Sequence, residues 1–331
     1  MTIERYLMGT TDASANYIED VFSTYLYTGT GANQTITNGI DLSTKGGMVW
    51  LKSRSAATDN SLYDTARGAT KVWSSNDAYE QTTQTTGLTA FNSNGFNIGV
   101  LANLNTLNAT YTSWSFRKSP KFFDVVTWSG NSVANRTISH SLGSVPGMII
   151  IKAVVGYNTQ PVVWQRSTNS GTGNAYFFLN TTDAAVADNG VFFGNGASTY
   201  VPPTSTGFTV SSNYRVNTNG VSYIAYLFAH NAGGFGASGT DNVISCGSFT
   251  CASGLATVDL GYEPQWLLVK KTNAADGWYL FDTMRGMTAG NYSSGGGVTK
   301  YLLANTTGTE TTVSDDINPV SYTHLTLPTI L

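Results

Sequence analysis

The sequence predicts an all-β protein built from tandem antiparallel β-sandwich units of the jelly-roll or lectin-like kind. One short apolar segment occurs three times along the chain. No stretch sustains the 3.6-residue apolar period of a long helix, and strand-like segments recur every ~8–12 residues between turn residues. Parallel α/β architecture needs crossover helices, which the pattern lacks.

The segment that occurs three times lies at 47–52, 146–152 and 264–270, and each copy ends in a lysine. β-branched and aromatic residues dominate each copy, and turn residues precede it. Such a run is typical of a strand that is buried on both faces. We expect the terminal lysines, Lys52, Lys152 and Lys270, to extend over apolar surface and keep their charged ends in water.

Other segments repeat in the same order, which indicates a tandem duplication. The paired segments are 95–98 with 207–210, 111–116 with 223–228, 124–130 with 242–247, and 63–68 with 281–286. They predict an N-terminal segment at 1–20, sandwich repeats at 21–119 and 120–235, and a partial repeat at 236–318. The partial repeat is predicted to be truncated because it lacks the closing strands, which leaves an open edge and an uncovered apolar face.

Within the first repeat, strands are predicted at 22–27, 48–51 and 111–116 and around Leu62, Val72 and Phe91, after a short helix at 17–21. Alternation in the last strand places Trp114 and Phe116 on the face that meets the core. The junction at 118–121 is short and predicts close apposition of the first two repeats. The junction at 231–240 is glycine-rich and is predicted to be flexible.

Composition excludes several classes of protein. Charged residues make up 11% of the chain and the net charge is −3, without a Lys/Arg cluster of the kind that nucleic-acid binders need. No apolar run approaches the ~20 residues of a membrane span, and 1–20 lacks the apolar core of a signal peptide. Cys246 and Cys251 are expected to be free thiols, with a local disulfide as the alternative.

Catalytic, cofactor and metal motifs are not evident, so the chain is predicted not to be an enzyme. The glycines at 234–239 match the dinucleotide fingerprint in spacing, but they lie in a linker without the required helix. His140, His230 and His324 are dispersed, and no further ligands accompany the two cysteines. We therefore expect no catalytic residues, no cofactor and no metal.

Two pairs of charged residues, Asp64 with Arg67 and Asp282 with Arg285, are preserved by the duplication. One interpretation is an Asp-initiated turn fixed by an ion pair. The other is a polar surface site for a sugar or a carboxylate partner, which the arginine fork suits.

Four aromatic residues are candidates for surface binding because they lie in or beside polar loops: Trp73, Tyr79, Trp164 and Tyr200. Their rings could stack on sugars or fill a protein pocket. The alternative is that they cap the edges of the sandwiches.

Several of these motifs resemble a known family. They are Gly-Met-Val-Trp-Leu-Lys-Ser-Arg-Ser at 47–55, the segment 63–68, Trp-Ser-Phe-Arg-Lys at 114–118 and Thr-Ile-Ser-His-Ser-Leu-Gly at 137–143. Over about 20–312 the chain is similar to a repeated domain of unknown function in tail-fibre or other virion structural proteins of tailed, particularly aquatic, bacteriophages. The final residues, 319–331, resemble a translated sequencing-adapter read-through of metagenomic assemblies and are interpreted as an artefactual tail.

The resemblance implies a non-enzymatic virion protein that is made in the host cytoplasm. Its expected role is that of a tail-fibre or appendage subunit serving as spacer and host-surface attachment. Other virion or tail proteins and host-surface glycans are the expected partners, nucleic acid and membrane insertion are not expected, and homo-oligomer formation is left open. The alternatives are a lectin-like receptor-binding module and a polysaccharide depolymerase.

Overall fold

The protein is all-β, as predicted, and consists of antiparallel sheets grouped into three units. The computed structural model describes residues 15–196, 198–251, 256–287 and 298–314. Among these residues, helical structure is confined to short turns at Ile18–Val21, Ala102–Asn105, Thr168–Gly171 and Thr283–Arg285. The first of these matches the short helix predicted at 17–21.

The first unit contains a large and a small sheet. Its strands are β1 (Phe22–Thr28), β2 (Gln34–Thr37), β3 (Gly47–Ser53), β4 (Ser61–Asp64), β5 (Lys71–Ser74), β6 (Thr82–Thr83), β7 (Leu88–Asn92), β8 (Gly95–Ile98) and β9 (Thr110–Arg117). The large sheet has the order β1-β9-β3-β4-β5-β6, and the small sheet has the order β2-β8-β7.

The second unit repeats this arrangement. Its strands are β10 (Phe123–Ser129), β11 (Arg136–Ser139), β12 (Met148–Val155), β13 (Val162–Gln165), β14 (Ala175–Phe178), β15 (Val186–Ala187), β16 (Gly207–Val210) and β17 (Ser222–Phe228). The large sheet has the order β10-β17-β12-β13-β14-β15, and β11 pairs with β16. The repeated strands β3 and β12 therefore occupy equivalent interior positions, as the sequence predicts.

The third unit is a single sheet in the described part of the chain. Its strands are β18 (Trp266–Lys270), β19 (Trp278–Asp282), β20 (Val298–Leu303) and β21 (Thr311–Ser314), paired in that order. By position in the repeat they correspond to β3 to β6 and to β12 to β15. The segment 315–331, which includes the predicted artefactual tail, lies outside the described residues.

Alternate residues of the interior strands serve two different cores. In β3, Val49 and Leu51 pack against the small sheet of their own unit, together with Phe96. Met48 and Trp50 point the other way, into a core to which all three large sheets contribute. All seven residues of β3 are buried for this reason. Burial on both faces, predicted from the continuous apolar run, is confirmed for β3 and for nearly all of β12.

Phe116 lies at the centre of the core that the three sheets share. Its ring centroid is 4.9–6.3 Å from five other aromatic rings, which belong to Phe22, Phe122, Phe123, Phe228 and Trp266. The prediction that Trp114 and Phe116 face a core is confirmed. That core, however, lies between the units rather than inside the first one.

The two junctions both hold neighbouring units together. At the first, the Lys118 ammonium lies 3.0 Å from the Asp124 carboxylate, and Phe122 and Phe123 enter the shared core. At the second, Phe235 is buried and packs edge-on against Phe122 at 6.1 Å. The segment 231–240, predicted to be a flexible linker, is anchored by Phe235, the one bulky apolar residue among its glycines.

The third unit differs from the other two along one edge. Strand β18 pairs with β19 but with no second strand among the described residues, and all five of its residues are half-buried. Residues 242–247, which repeat the sequence of β10, form no strand. Burial on both faces, predicted for the third copy of the repeated segment, is therefore wrong. A strand equivalent to β9 or β17, which would cover one edge of β18, is not among the described residues.

Replacement of Phe116 tests whether the three units share one core. Phe116→Ala is expected to lower the free energy of unfolding by ~3–5 kcal/mol, because a central aromatic side chain is lost and the cavity cannot collapse fully. Urea denaturation followed by tryptophan fluorescence measures this. Leu107→Ala, at a site 63% exposed, is the control and should change stability by less than ~0.5 kcal/mol. Destabilisation restricted to the first unit, with separate transitions for the others, would contradict a shared core.

Candidate functional site

The Asp64–Arg67 pair forms a turn, as the first of the two interpretations predicts. Asp64 ends β4, and its carboxylate accepts hydrogen bonds from the Arg67 backbone N–H at 2.9 Å and from Nε at 2.5 Å. Arg67 Nη2 donates to the Leu62 carbonyl oxygen at 2.9 Å. The guanidinium therefore ties the turn to the strand that precedes it.

This turn is buried by the neighbouring unit, so its role as a surface binding site, the second interpretation, is wrong. Asp64 is fully buried and the Arg67 side chain is 4% exposed. The Tyr226 hydroxyl of β17 donates to Asp64 Oδ2 at 2.7 Å and accepts from Trp73 Nε1 at 3.0 Å. Burial raises the pKa of Tyr226 well above its usual value. Buried charge needs a full set of hydrogen-bonding partners, and here one of them comes from another unit.

Asp282 and Arg285 of the third unit form the same kind of turn, and the first unit supplies its additional hydrogen-bonding partner. The Arg285 backbone N–H and Nε donate to the Asp282 carboxylate at 3.0 and 2.6 Å. The third partner is Trp114 of β9, whose Nε1 donates to Asp282 Oδ2 at 2.9 Å. Trp114 and Tyr226 hold the same position in their strands, opposite Trp50 and Ile150. Asp282 and Arg285 are also buried, so the surface-binding interpretation is wrong for this pair as well.

The second unit has no counterpart of the Asp–Arg pair. Met48 lies opposite Asp64 and Trp266 lies opposite Asp282, whereas Met148 lies opposite Gln165. The amide of Gln165 instead accepts from the Ser167 N–H and donates to the Gly247 carbonyl oxygen. The unit that would supply the third partner here is the third one, whose described residues include no strand equivalent to β9 or β17.

The lysines that end the three copies of the repeated segment connect the units in a cycle. Lys52 Nζ in the first unit donates to the Thr307 carbonyl oxygen of the third unit at 2.9 Å. Lys152 Nζ in the second unit donates to the Ala78 carbonyl oxygen of the first unit at 3.1 Å. Lys270 Nζ in the third unit donates to the Thr182 carbonyl oxygen of the second unit at 3.1 Å. Each acceptor lies four residues after the end of β5, β14 or β20. Every unit therefore reaches the equivalent loop of a different unit.

Two of these lysines are buried rather than extended into water, which corrects the prediction made from sequence. Lys52 and Lys152 have no exposed surface. A second carbonyl oxygen completes each site, from Thr58 for Lys52 and from Thr159 for Lys152. Burial lowers the pKa of each to about 8, because the charged form loses its water. Lys270 is less buried, and its pKa is lowered in the same direction.

Of the four aromatic candidates, two are buried and cannot bind a ligand at the surface. Trp73 lies in β5 and stacks on Tyr226 at 6.1 Å, while Trp164 lies in β13 and donates from Nε1 to Gly173 O at 2.7 Å. Tyr200 is half-buried and its hydroxyl accepts from Trp164 Nε1 at 2.9 Å. Tyr79 alone of the four is largely exposed, at 67%. The tryptophans looked loop-like because their strands are only four residues long.

An exposed aromatic cluster in the second unit was not identified from the sequence. Tyr157 and Tyr214 are 46% and 38% exposed, and their ring centroids lie 5.3 Å apart. Arg215 Cζ lies 4.5 Å from the Tyr214 ring centroid, and Arg215 Nη2 donates to Gln160 Oε1 at 3.1 Å. We call these four residues the Tyr157 cluster. Both tyrosines stand in polar loops between strands, which is the signal that could have located each of them.

Other groups that could support chemistry are few in the described part of the chain. No three His, Cys, Asp or Glu side chains there come together as a metal site. A shallow cleft of about 450 Å³ between the first two units is lined by Arg67, Gln81, Trp128, Tyr223 and neighbours. Its described lining contains no carboxylate or imidazole. No helix among the described residues is long and apolar enough to cross a membrane.

The cysteines are free thiols, as predicted. Cys246 is half-buried, and its backbone N–H donates to His230 Nδ1 at 3.0 Å. Burial raises the pKa of its thiol to about 12, so it stays protonated at neutral pH. Cys251 is exposed.

The buried lysines predict that stability rises with pH just above neutrality. Their folded-state pKa of about 8 lies below the ordinary value of 10.5, so above pH ~8 the unfolded chain binds more protons than the folded one. Each lysine can contribute at most ~1.4 kcal/mol per pH unit. Urea unfolding between pH ~7.5 and ~9 should show the rise, and Lys52→Met or Lys152→Met should reduce it. Lys45→Met, at an exposed site, should preserve it. A wild-type stability that is flat or falls across this interval would refute the assignment.

Removal of the Tyr226 hydroxyl tests the contact between the first two units. Tyr226→Phe is expected to lower the free energy of unfolding by ~1.5–3 kcal/mol, because Asp64 loses a hydrogen bond to a charged group in a buried site. The matched control is Tyr79→Phe at the exposed tyrosine, which should be within ~0.5 kcal/mol of wild type. Equal stability of the two variants in urea titrations would show that the hydroxyl does not support the interface.

Comparison with known proteins identifies the family of the chain. The chain matches no curated protein and no solved structure significantly. One family model matches residues 18–318, which is most of the chain and includes all three large sheets. The chain belongs to the family described as "Domain of unknown function (DUF7483)".

Proposed function

We propose that the protein is a non-enzymatic structural subunit of a bacteriophage virion, of the tail-fibre or appendage type. In this role it serves as a rigid spacer that presents polar loops to a host surface. Its partners are other virion or tail proteins, and it reaches the virion from the host cytoplasm. The sequence resemblance to virion proteins of tailed phages supports the class, and the cycle of lysine contacts between units supports the mechanical role.

The cycle of lysine contacts is the observation that carries the proposal. Lys52, Lys152 and Lys270 each join two different units, so no unit can turn relative to the others without breaking a contact. The first and third units are joined further by the bidentate pair between Arg54 and Glu310, at 2.8 and 2.9 Å. A spacer must hold its two ends at a fixed separation, and a body with several buried inter-unit contacts is suited to that.

A second candidate function, carbohydrate binding, is favoured by the Tyr157 cluster. Sugars present apolar faces that stack on aromatic rings, and hydroxyls that planar polar side chains such as Arg and Gln recognise. Two exposed tyrosines beside Arg215 and Gln160 offer both kinds of contact on one surface. In this interpretation the protein is a lectin-like module and host glycans are its ligands.

Immunogold electron microscopy tests the virion assignment. An antibody raised against the purified chain should label intact tailed particles in lysates of a host that carries the gene, with pre-immune serum as the control. We expect label at the tail or its appendages. Label on soluble lysate protein alone, with bare particles, would count against a virion role.

Glycan-array binding tests the carbohydrate candidate. The double variant Tyr157→Ala/Tyr214→Ala should weaken binding by about fivefold to 150-fold, since stacking on each ring contributes ~0.5–1.5 kcal/mol. Phe249→Ala, at an exposed site of the third unit, serves as the control and should bind as wild type does. Binding that is absent in wild type, or unchanged in the double variant, would exclude the Tyr157 cluster as a glycan-binding site.

Release of reducing sugar from host polysaccharide would instead indicate a depolymerase.

A further inference from the structure

Strand β18 stands at the edge of a sheet, whereas its counterparts stand inside theirs. Strand β3 lies between β9 and β4, and β12 lies between β17 and β13. Strand β18 pairs with β19, and its second edge is unpaired among the described residues. An unpaired edge presents a row of backbone N–H and C=O groups that can template another strand.

The side chains of β18 are also less buried than those of its counterparts. All residues of β3 are buried, yet every residue of β18 is half-buried, including Trp266 and Leu268. Val243 and Ile244, in the segment that repeats the sequence of β10, pack against the shared core without forming a strand. In the second unit, β10 is held by pairing with β17. The lack of a strand equivalent to β9 or β17 among the described residues therefore accounts for both the open edge and the unpaired segment.

The occupied edges of the other two units define what fits. Strands β9 and β17 share the pattern Tyr-x-x-aromatic-x-Phe, at 111–116 and 223–228. Their last two aromatic residues lie opposite Trp50 and Met48 in one unit, and opposite Ile150 and Met148 in the other. By the same register, the partner of β18 places aromatic residues opposite Leu268 and Trp266.

The cyclic order of the units also specifies what this partner meets across the interface. Trp114 of β9 contacts the turn that begins at Asp282. Tyr226 of β17 contacts the turn that begins at Asp64. The remaining turn is that of the second unit, where Gln165 replaces the aspartate. Because the Gln165 amide already has a donor and an acceptor partner, the incoming ring needs no hydrogen-bonding group, and phenylalanine suffices there.

We propose that the edge of β18 that no described strand occupies is a docking site for one antiparallel polypeptide strand with the alternating aromatic pattern of β9 and β17. The strand adds main-chain hydrogen bonds to β18, and its aromatic side chains enter the shared core. The inference is independent of the virion role, because it concerns only the third sheet.

Peptide complementation tests the proposal on the full chain. The probe is a synthetic peptide with the sequence of 221–230, and the matched control carries Tyr226→Ser and Phe228→Ser. Fluorescence anisotropy should show saturable one-to-one binding of the probe and not of the control. At a peptide concentration ~100 times the Kd, amide exchange at 266–270 should slow about 100-fold, since opening then requires release of the peptide.

The location of protection separates the outcomes. Protection at 266–270, with exchange in 148–155 unchanged, supports the proposal. No binding, equal binding of the control, or protection confined to the second unit would overturn it. Self-association of the chain that blocks the peptide and protects 266–270 would overturn it too, since the occupant would then be a second copy.

Discussion

The structure depends on the burial of three sheets against one another. Each large sheet of the first two units has one face covered by its own small sheet and the other by neighbouring units. Trp50 and Trp114, which meet edge-to-face at 6.0 Å, lie in the first unit but pack into the core shared by all three. A unit separated from the others would expose this aromatic face to water. The three units therefore stabilise one another and are not independent domains.

The shared core also explains the unusual polar groups. A lysine or an Asp–Arg pair at the boundary of an apolar core must satisfy its hydrogen-bonding groups locally or destabilise the fold. Lys152 does so with carbonyl oxygens from two units, and Asp64 does so with Tyr226. Each polar group consequently favours one arrangement of the units over other apolar packings. Apolar contacts supply most of the attraction, and these buried groups select the geometry.

The strands could be predicted from the sequence because the signal for them is local. The runs at 48–51 and 148–151 are apolar without interruption, and duplication confirms their equivalence. The assignment of faces could not be predicted as fully, since alternation shows that Trp114 and Tyr111 point in opposite directions but not which core each one enters. The burial of Asp64 was also beyond sequence reasoning, because the hydroxyl that covers it is 162 residues away. The contact between Tyr157 and Tyr214 could not be predicted for the same reason, since their loops are distant in sequence.

The closed cycle of lysine contacts limits how such a protein can grow. An open solenoid accepts another repeat at either end, because each repeat contacts only its neighbours. In a closed ring the third unit already returns to the first, through Lys52 and Thr307, and each of the three equivalent loops already accepts a lysine. Additional repeats in a longer relative would have to begin a new ring.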